Sequence, residues 1–144
     1  MKIRQFKSQG ITSTPPSNFR EINPGLILVF ADIQSMEDKN WLKIWHQSFP
    51  ASILLGCSTS GNILGAEISE AGFVATAVEM EKTRMKFAVA DLSESVDRYQ
   101  AGYQLSQDLD HPDLQFVFVI SEGTNVNGSD LVSGLNKGLG GKVP

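Results

Sequence analysis

The chain has 144 residues, of which 41% are hydrophobic, so it can bury the core of one domain and is not a disordered tail. Its net charge of −4 argues against nucleic acid or an anionic membrane surface as partner. One cysteine excludes an internal disulfide, and with two histidines it cannot form a cysteine-rich zinc site. No apolar run reaches 18 residues and no apolar signal core follows Met1, so we expect a cytoplasmic protein without membrane insertion, metal or cofactor.

The N-terminal part predicts a weak edge strand followed by an irregular segment. Residues 2–7 alternate imperfectly, and residues 8–20, centred on Pro15-Pro16, are typical of a loop or tether. The apolar run 26–30 predicts a strand covered on both faces, and 53–55 predicts a second buried strand.

A helix lies between these two strands in the prediction. Ser35 begins an S-x-x-D capping pattern, Trp41 and Trp45 follow at helical spacing as core anchors, and Pro50 ends the helix. Strand, helix and strand together fit one βαβ unit.

The pattern then changes to alternation typical of β-structure. Residues 71–80 and 85–90 predict an antiparallel hairpin. Ser93 can cap the next helix, which carries an apolar stripe and ends at residues 111–113. The stripe consists of Val96, Tyr99, Tyr103 and Leu109.

A third buried strand is predicted at 116–120, and a last helix begins at Asn127 or Ser129. Its apolar line is Leu131, Leu135 and Leu139, and Gly140-Gly141 closes it. We expect an α/β fold: a mixed sheet with a βαβ unit, an antiparallel hairpin and helices packed on the sheet. Because a strand would normally follow that helix, we expect residues 1–144 to be a single domain that is the N-terminal portion of a longer protein; a domain whose sheet is completed by a partner is the alternative.

The turn after the second buried strand suggests a binding site. Residues 56–62 read Gly-Cys-Ser-Thr-Ser-Gly-Asn, rich in hydroxyls and backbone donors, and ligands bind beyond the carboxyl ends of strands in open α/β sheets. A polar turn without ligand explains the same residues equally well. Ser60 stands where a nucleophile elbow needs glycine, and Asn62 stands where a P-loop needs lysine.

Cys57 is the candidate nucleophile of an alternative, enzymatic interpretation. It would need His46 or His111 beside it, and neither spacing places a histidine there, so a packing role is favoured. Gly134 and Gly138, four residues apart on the last helix, predict either a close helix–helix approach or a weakened helix, and not a ligand site.

A second polar turn, residues 121–128, follows the third predicted strand and leads into a helix N-terminus that favours anions. Its amides together with Glu122 could hold both ends of a zwitterion. These residue types are also ordinary turn and cap formers, which is an equally good explanation.

Four segments of the chain resemble the N-terminal part of the FIST domain, a sensory module of intracellular signal transduction proteins. They are residues 53–61, 71–80, 121–123 and 128–135. The Gly-Cys-Ser-Thr-small-Gly turn carries most of the resemblance. Glu122-Gly123 departs from the Asp-Gly common in that family, and the family domain continues into a C-terminal half.

The resemblance implies small-ligand sensing, with amino acids as proposed ligands and a C-terminal FIST half or a signalling output domain as partner. It supplies no catalytic residue, so we expect a non-enzyme. An acyl-transfer enzyme using Cys57 or Ser58 and a protein-interaction module are the alternatives. The predicted ligand-binding residues are Gly56, Cys57, Ser58, Thr59, Ser60, Gly61, Glu122, Gly123 and Thr124.

Overall fold

The computed structural model describes residues 1–10, 14–92, 97–123, 127–141 and 143. Their contacts divide the chain into two units, residues 1–85 and 86–144, and each is described by itself. Helices and both parallel and antiparallel strands are present, so the α/β class is confirmed.

The first unit is built on a four-stranded mixed sheet. In chain order its strands and helices are β1 (Lys2–Ser8), a short 3₁₀ helix (Ser17–Glu21), β2 (Leu26–Ala31), α1 (Ile33–Glu37), α2 (Asn40–Ser48), β3 (Ile53–Ser58), β4 (Asn62–Leu64), β5 (Glu67–Ser69) and β6 (Phe73–Glu79). The sheet order is β1-β6-β2-β3, and β4 and β5 form a separate antiparallel pair.

The predicted βαβ unit is confirmed. β2 and β3 pair in parallel, with Leu26 opposite Ile53 and Ala31 opposite Ser58, and both helices lie between them in the chain. The strand predicted at 53–55 is confirmed by β3, but its predicted burial is wrong, because β3 forms an edge of this sheet and is half-buried. The edge strand predicted at 2–7 is confirmed by β1.

The core of the first unit is aromatic at its centre. Trp45 is fully buried, and its ring meets Trp41, Phe19 and Phe73 at centroid distances of 5.6, 6.0 and 5.9 Å in edge-to-face geometry. The predicted role of both tryptophans as core anchors is confirmed. Phe19 belongs to the 3₁₀ helix, so the segment predicted as a loop or tether at 8–20 contributes a side chain to the core.

The hairpin predicted from residues 71–80 and 85–90 is wrong in its second strand. β6 pairs antiparallel with β1 on one side and with β2 on the other, so no edge of β6 is left for a further strand. Residues 85–90 form no strand, and the antiparallel hairpin of the structure is β4–β5.

The helix predicted from Ser35 to Pro50 is divided into α1 and α2. Asp32 caps α1, since its carboxylate accepts a hydrogen bond from the backbone N–H of Ser35 at 2.8 Å. The prediction that Ser35 is the cap is therefore wrong: Ser35 lies inside the first turn that Asp32 caps.

The second unit pairs α3 (Arg98–Leu109) with α4 (Gly128–Leu139). Glycines at three positions let the backbones approach: a Cβ at Gly134 would collide with the carbonyl oxygen of Tyr99, one at Gly102 with that of Leu131, and one at Gly138 with the Ser106 side chain. The predicted close approach at Gly134 and Gly138 is confirmed.

The apolar line of α4 is confirmed, since Leu131, Leu135 and Leu139 are buried and Asn127 caps the helix. On α3 the predicted stripe is wrong, because the buried residues are Ala101, Gly102 and Ser106, whereas Tyr99 and Tyr103 are exposed. Close packing leaves room only for small residues on the buried face. Ser93 and Val96 lie outside the described residues, and Asp97 caps α3.

The third strand predicted at 116–120 is also wrong. These residues form no strand, and Phe116 and Phe118 are exposed. A strand needs a neighbour to pair its backbone N–H and C=O groups, and the described part of residues 86–144 contains no other strand.

Candidate functional site: the turn after strand β3

The predicted turn, residues 56–62, begins inside β3. It continues beyond the carboxyl end of the parallel pair β2 and β3. Gly56, Cys57 and Ser58 are the last residues of the strand, and the backbone N–H of Thr59 extends the ladder by donating to the carbonyl oxygen of Ala31 at 2.8 Å. Gly56 is required by close approach, because a Cβ there would collide with the carbonyl oxygen of Val29 on β2.

Hydrogen bonds of polar side chains hold the turn in place. The Thr59 hydroxyl lies 3.1 Å from the carbonyl oxygen of Gly61 and 3.0 Å from Asn62 Oδ1. Asn62 is 2% exposed and donates from Nδ2 to the carbonyl oxygen of Gly72 at 3.0 Å. The side chains of Thr59 and Asn62 therefore meet each other's hydrogen-bonding needs and those of nearby backbone carbonyl groups. These bonds hold the turn in shape.

Asp32 continues this network at the end of β2. Its Oδ2 accepts from the backbone N–H of Gly72 at 2.7 Å and from the Ser35 hydroxyl at 3.0 Å, while its own N–H donates to the Gly72 carbonyl oxygen at 3.0 Å. Hydrogen bonds from the backbone N–H of Ser35, and then of Gly72, hold the pKa of the Asp32 carboxyl below its usual range.

The predicted binding residues differ in whether their side chains are hydrogen-bonded within this network. Ser58 and Ser60 are exposed, and their hydroxyls have no hydrogen-bond partner among the residues that the structure describes. Thr59 is committed to the network. Gly61 is half-buried, and a Cβ there would meet only the Ile68 side chain at 3.8 Å, so its backbone is open to close approach.

Cys57 is half-buried on β3 and its thiol is free. Among the described residues no hydrogen bond to its sulfur occurs. His46 is exposed on α2, and His111 Nδ1 accepts the backbone N–H of Asp113 at 3.1 Å. The described ranges also contain no group of three or more potential metal ligands from His, Cys, Asp and Glu.

The second predicted turn belongs to the other unit and is only partly described. Glu122 and Gly123 are exposed, and Thr124 lies outside the described residues. At the start of α4, Asn127 Oδ1 accepts the Ser129 N–H at 3.1 Å, and Asn127 Nδ2 donates to Asp130 at 2.8 Å. Asn127 therefore caps α4 by accepting the Ser129 N–H. This agrees with the alternative explanation, in which the residues of this segment form an ordinary turn and helix cap.

The role of Asn62 in shaping the turn was not predicted from the sequence. Asn62 was visible as a polar residue next to the glycine that closes the turn. Its burial depends on Gly72, ten residues later, which no local pattern connects to it.

Comparison with known proteins gives one family. The family model described as FIST N domain matches residues 25–144. The chain belongs to the FIST family. The resemblance drawn from the turn is thereby confirmed, and the protein is a sensory signal-transduction domain in the general sense that this family defines.

The FIST match extends over β2, the turn and α4, and so includes parts of both units. No curated protein and no solved structure matches the chain. None of the described helices combines the length and the hydrophobicity that a membrane-spanning helix needs.

Proposed function

We propose that this FIST domain binds a small metabolite, with amino acids as the first class to test, and that residues 58–61 contact the ligand. The observation that supports the proposal is that some polar side chains of the turn are hydrogen-bonded within the protein and others are not. Ser58 and Ser60 are exposed and their hydroxyls have no hydrogen-bond partner within the described ranges, whereas the side chains of Thr59 and Asn62 are hydrogen-bonded within the turn and to the Gly72 backbone.

The chemistry of the turn suits a carboxylate. Two exposed hydroxyls and the nearby backbone N–H groups are donors, and no acidic side chain occurs in residues 56–62 to repel an anion. Because the turn follows a parallel strand pair at its carboxyl end, it has the placement at which open α/β sheets bind ligands. The underlying network reduces the ordering that binding would require.

The second segment, Glu122 to Thr124, remains a sequence-based proposal. Its carboxylate would bind the ammonium group of an amino acid, and its amides would add donors. The variant Glu122→Gln tests the role of Glu122 alone. It should weaken the binding of amino acids more than the binding of the matching carboxylates that lack the ammonium group. Equal effects on both ligand classes would remove Glu122 from the site.

A thermal-shift screen of the whole chain with the amino acids and small carboxylates tests the proposal. A ligand at 100 times its Kd stabilises the folded state by about 2.7 kcal/mol. The double variant Ser58→Ala/Ser60→Ala should abolish most of that shift, whereas Ser133→Ala, at an exposed serine of α4, should keep it. A shift that survives the double variant would place the ligand elsewhere.

We also propose that the domain acts inside the cell with a C-terminal FIST half or a signalling output domain as partner. The support is family membership, since FIST N domains are sensory modules. Fractionation of cells that express the tagged natural protein tests the compartment. Recovery from the membrane-free cytosolic fraction is expected, and recovery from the external medium would contradict the proposal.

A further inference from the structure

Two isoleucines lie next to each other on the exposed face of the β4–β5 hairpin. Ile63 of β4 is directly opposite Ile68 of β5, so both side chains lie on one face of the hairpin, where they are 65% and 75% exposed. Alternation along the strands turns their neighbours to the other face. There Asn62 is buried, and Glu67 accepts a hydrogen bond from Lys7 of β1 at 2.9 Å. Within the three paired positions of each strand, the isoleucine face therefore carries no charged side chain.

This isoleucine pair adjoins the turn to which the proposed function assigns the ligand. β4 begins at Asn62, directly after Gly61. Ile68, on the other strand of the hairpin, also borders the turn, since a Cβ built on Gly61 would lie 3.8 Å from Ile68 Cγ2. Because glycine has no side chain, a ligand bound at the turn can lie along the Gly61 backbone and reach Ile68.

Polar donors and apolar surface therefore lie side by side at Gly61. The exposed Ser60 hydroxyl precedes this glycine, and the isoleucine pair follows it on the hairpin. Single exposed apolar residues are common on protein surfaces and need no explanation. Two facing isoleucines next to a row of donors are the combination that small-molecule sites use, in which polar groups fix the orientation and apolar contacts add affinity.

We propose that Ile63 and Ile68 select amino acids with an apolar side chain, an inference that rests on the proposed function of the turn. The ligand carboxylate binds the donors of residues 58–61, and the ligand side chain lies against the two isoleucines. An aliphatic side chain gains from this contact, because apolar surface of both partners leaves water. A polar side chain of the same shape gains nothing, because it would give up water and find no hydrogen-bond partner on the isoleucine face.

Titration calorimetry of the whole chain with leucine, asparagine and alanine tests this selection. Leucine and asparagine have side chains of the same shape, so they differ mainly in polarity. Leucine should bind about five- to tenfold more tightly than either of the others, as expected when roughly half of its additional apolar surface is covered. Ile63→Thr/Ile68→Thr should abolish this preference and leave the affinity for alanine unchanged. Threonine retains the β-branched shape that favours strands, and both positions are exposed, so the hairpin should be kept.

Ile3→Thr is the matched control. Ile3 is 44% exposed on β1 and lies opposite Val78, which pairs with Leu26 at the start of β2, so it is at the other end of the sheet from the turn. This variant should keep the preference for leucine.

Three results would overturn the selection: no binding of leucine, equal binding of leucine and asparagine, or a leucine preference that survives Ile63→Thr/Ile68→Thr. The proposed function fails together with it only if no amino acid in the thermal-shift screen gives a shift that depends on Ser58 and Ser60. An amino acid that binds through these serines without regard to the isoleucines would overturn the selection alone.

Discussion

Replacing Asp32 by alanine tests whether the carboxylate at the end of β2 joins the α1 cap to the turn network. The change removes the acceptor of three hydrogen bonds, from Ser35 N–H, Ser35 Oγ and Gly72 N–H, at 2.8, 3.0 and 2.7 Å. A hydrogen bond to a charged group contributes about 1.5–3 kcal/mol, and Ser35 can recover part of this from water. Gly72 is buried and cannot, so we expect a loss of about 2–4 kcal/mol in the free energy of unfolding.

Urea unfolding followed by tryptophan fluorescence is a suitable assay for this loss. The chain has two tryptophans, Trp41 and Trp45, both buried in the first unit, so the signal reports on that unit. Asp38→Ala is the matched control, because Asp38 accepts a single exposed bond from the Asn40 N–H at 3.0 Å and should cost about 0.5–1 kcal/mol. Equal losses for the two variants would refute the tertiary role of Asp32.

Three further changes test the turn network and the helix pair. Asn62→Leu removes the side-chain donor to the Gly72 carbonyl oxygen, which keeps only the Asp32 N–H, and removes the Oδ1 that lies 3.0 Å from the Thr59 hydroxyl; it should destabilise the first unit by about 1–3 kcal/mol in the same assay, and an unchanged midpoint would contradict this. Gly134→Ala should lower the melting temperature of α3 and α4 measured by circular dichroism, since its Cβ would collide with the Tyr99 backbone, while Gly128→Ala, with open space around it, should not. The lowered pKa of Asp32 implies stability that is complete above its unfolded pKa of about 3.9 and is lost as pH falls through the folded pKa. Asp32→Asn should therefore flatten the acid limb of an unfolding titration, and parallel acid limbs would show that Asp32 does not contribute.

Elements that depend on neighbouring residues could be predicted from the sequence. The apolar runs of β2 and β3, the spacing of Trp41 and Trp45, and the leucine line of α4 are each read within about ten residues, and all of them predicted the observed element. The glycine-and-hydroxyl turn also predicted the family correctly, because its composition is unusual over a short stretch.

Features that depend on distant segments of the chain could not be predicted from local patterns. β6 takes its first neighbour from β1, near the N-terminus, and no alternation within residues 71–90 can reveal that pairing. Asp32 and Ser35 are both good cap residues, and Asp32 is favoured because Gly72 supplies a second donor to the same carboxylate. Likewise, the burial of Asn62 and the exposure of Ser58 and Ser60 follow from the fold.

We propose that Ser58 to Gly61 form the ligand-contacting turn of this FIST sensory domain. Amide chemical shifts of the whole ¹⁵N-labelled chain, recorded during titration with each amino acid, test it most directly. We expect at least one amino acid to produce saturable shifts of the Ser58, Ser60 and Gly61 amides, and Ser58→Ala/Ser60→Ala to abolish them. Saturable shifts that avoid this turn, or no saturable shift with any amino acid, would contradict the account.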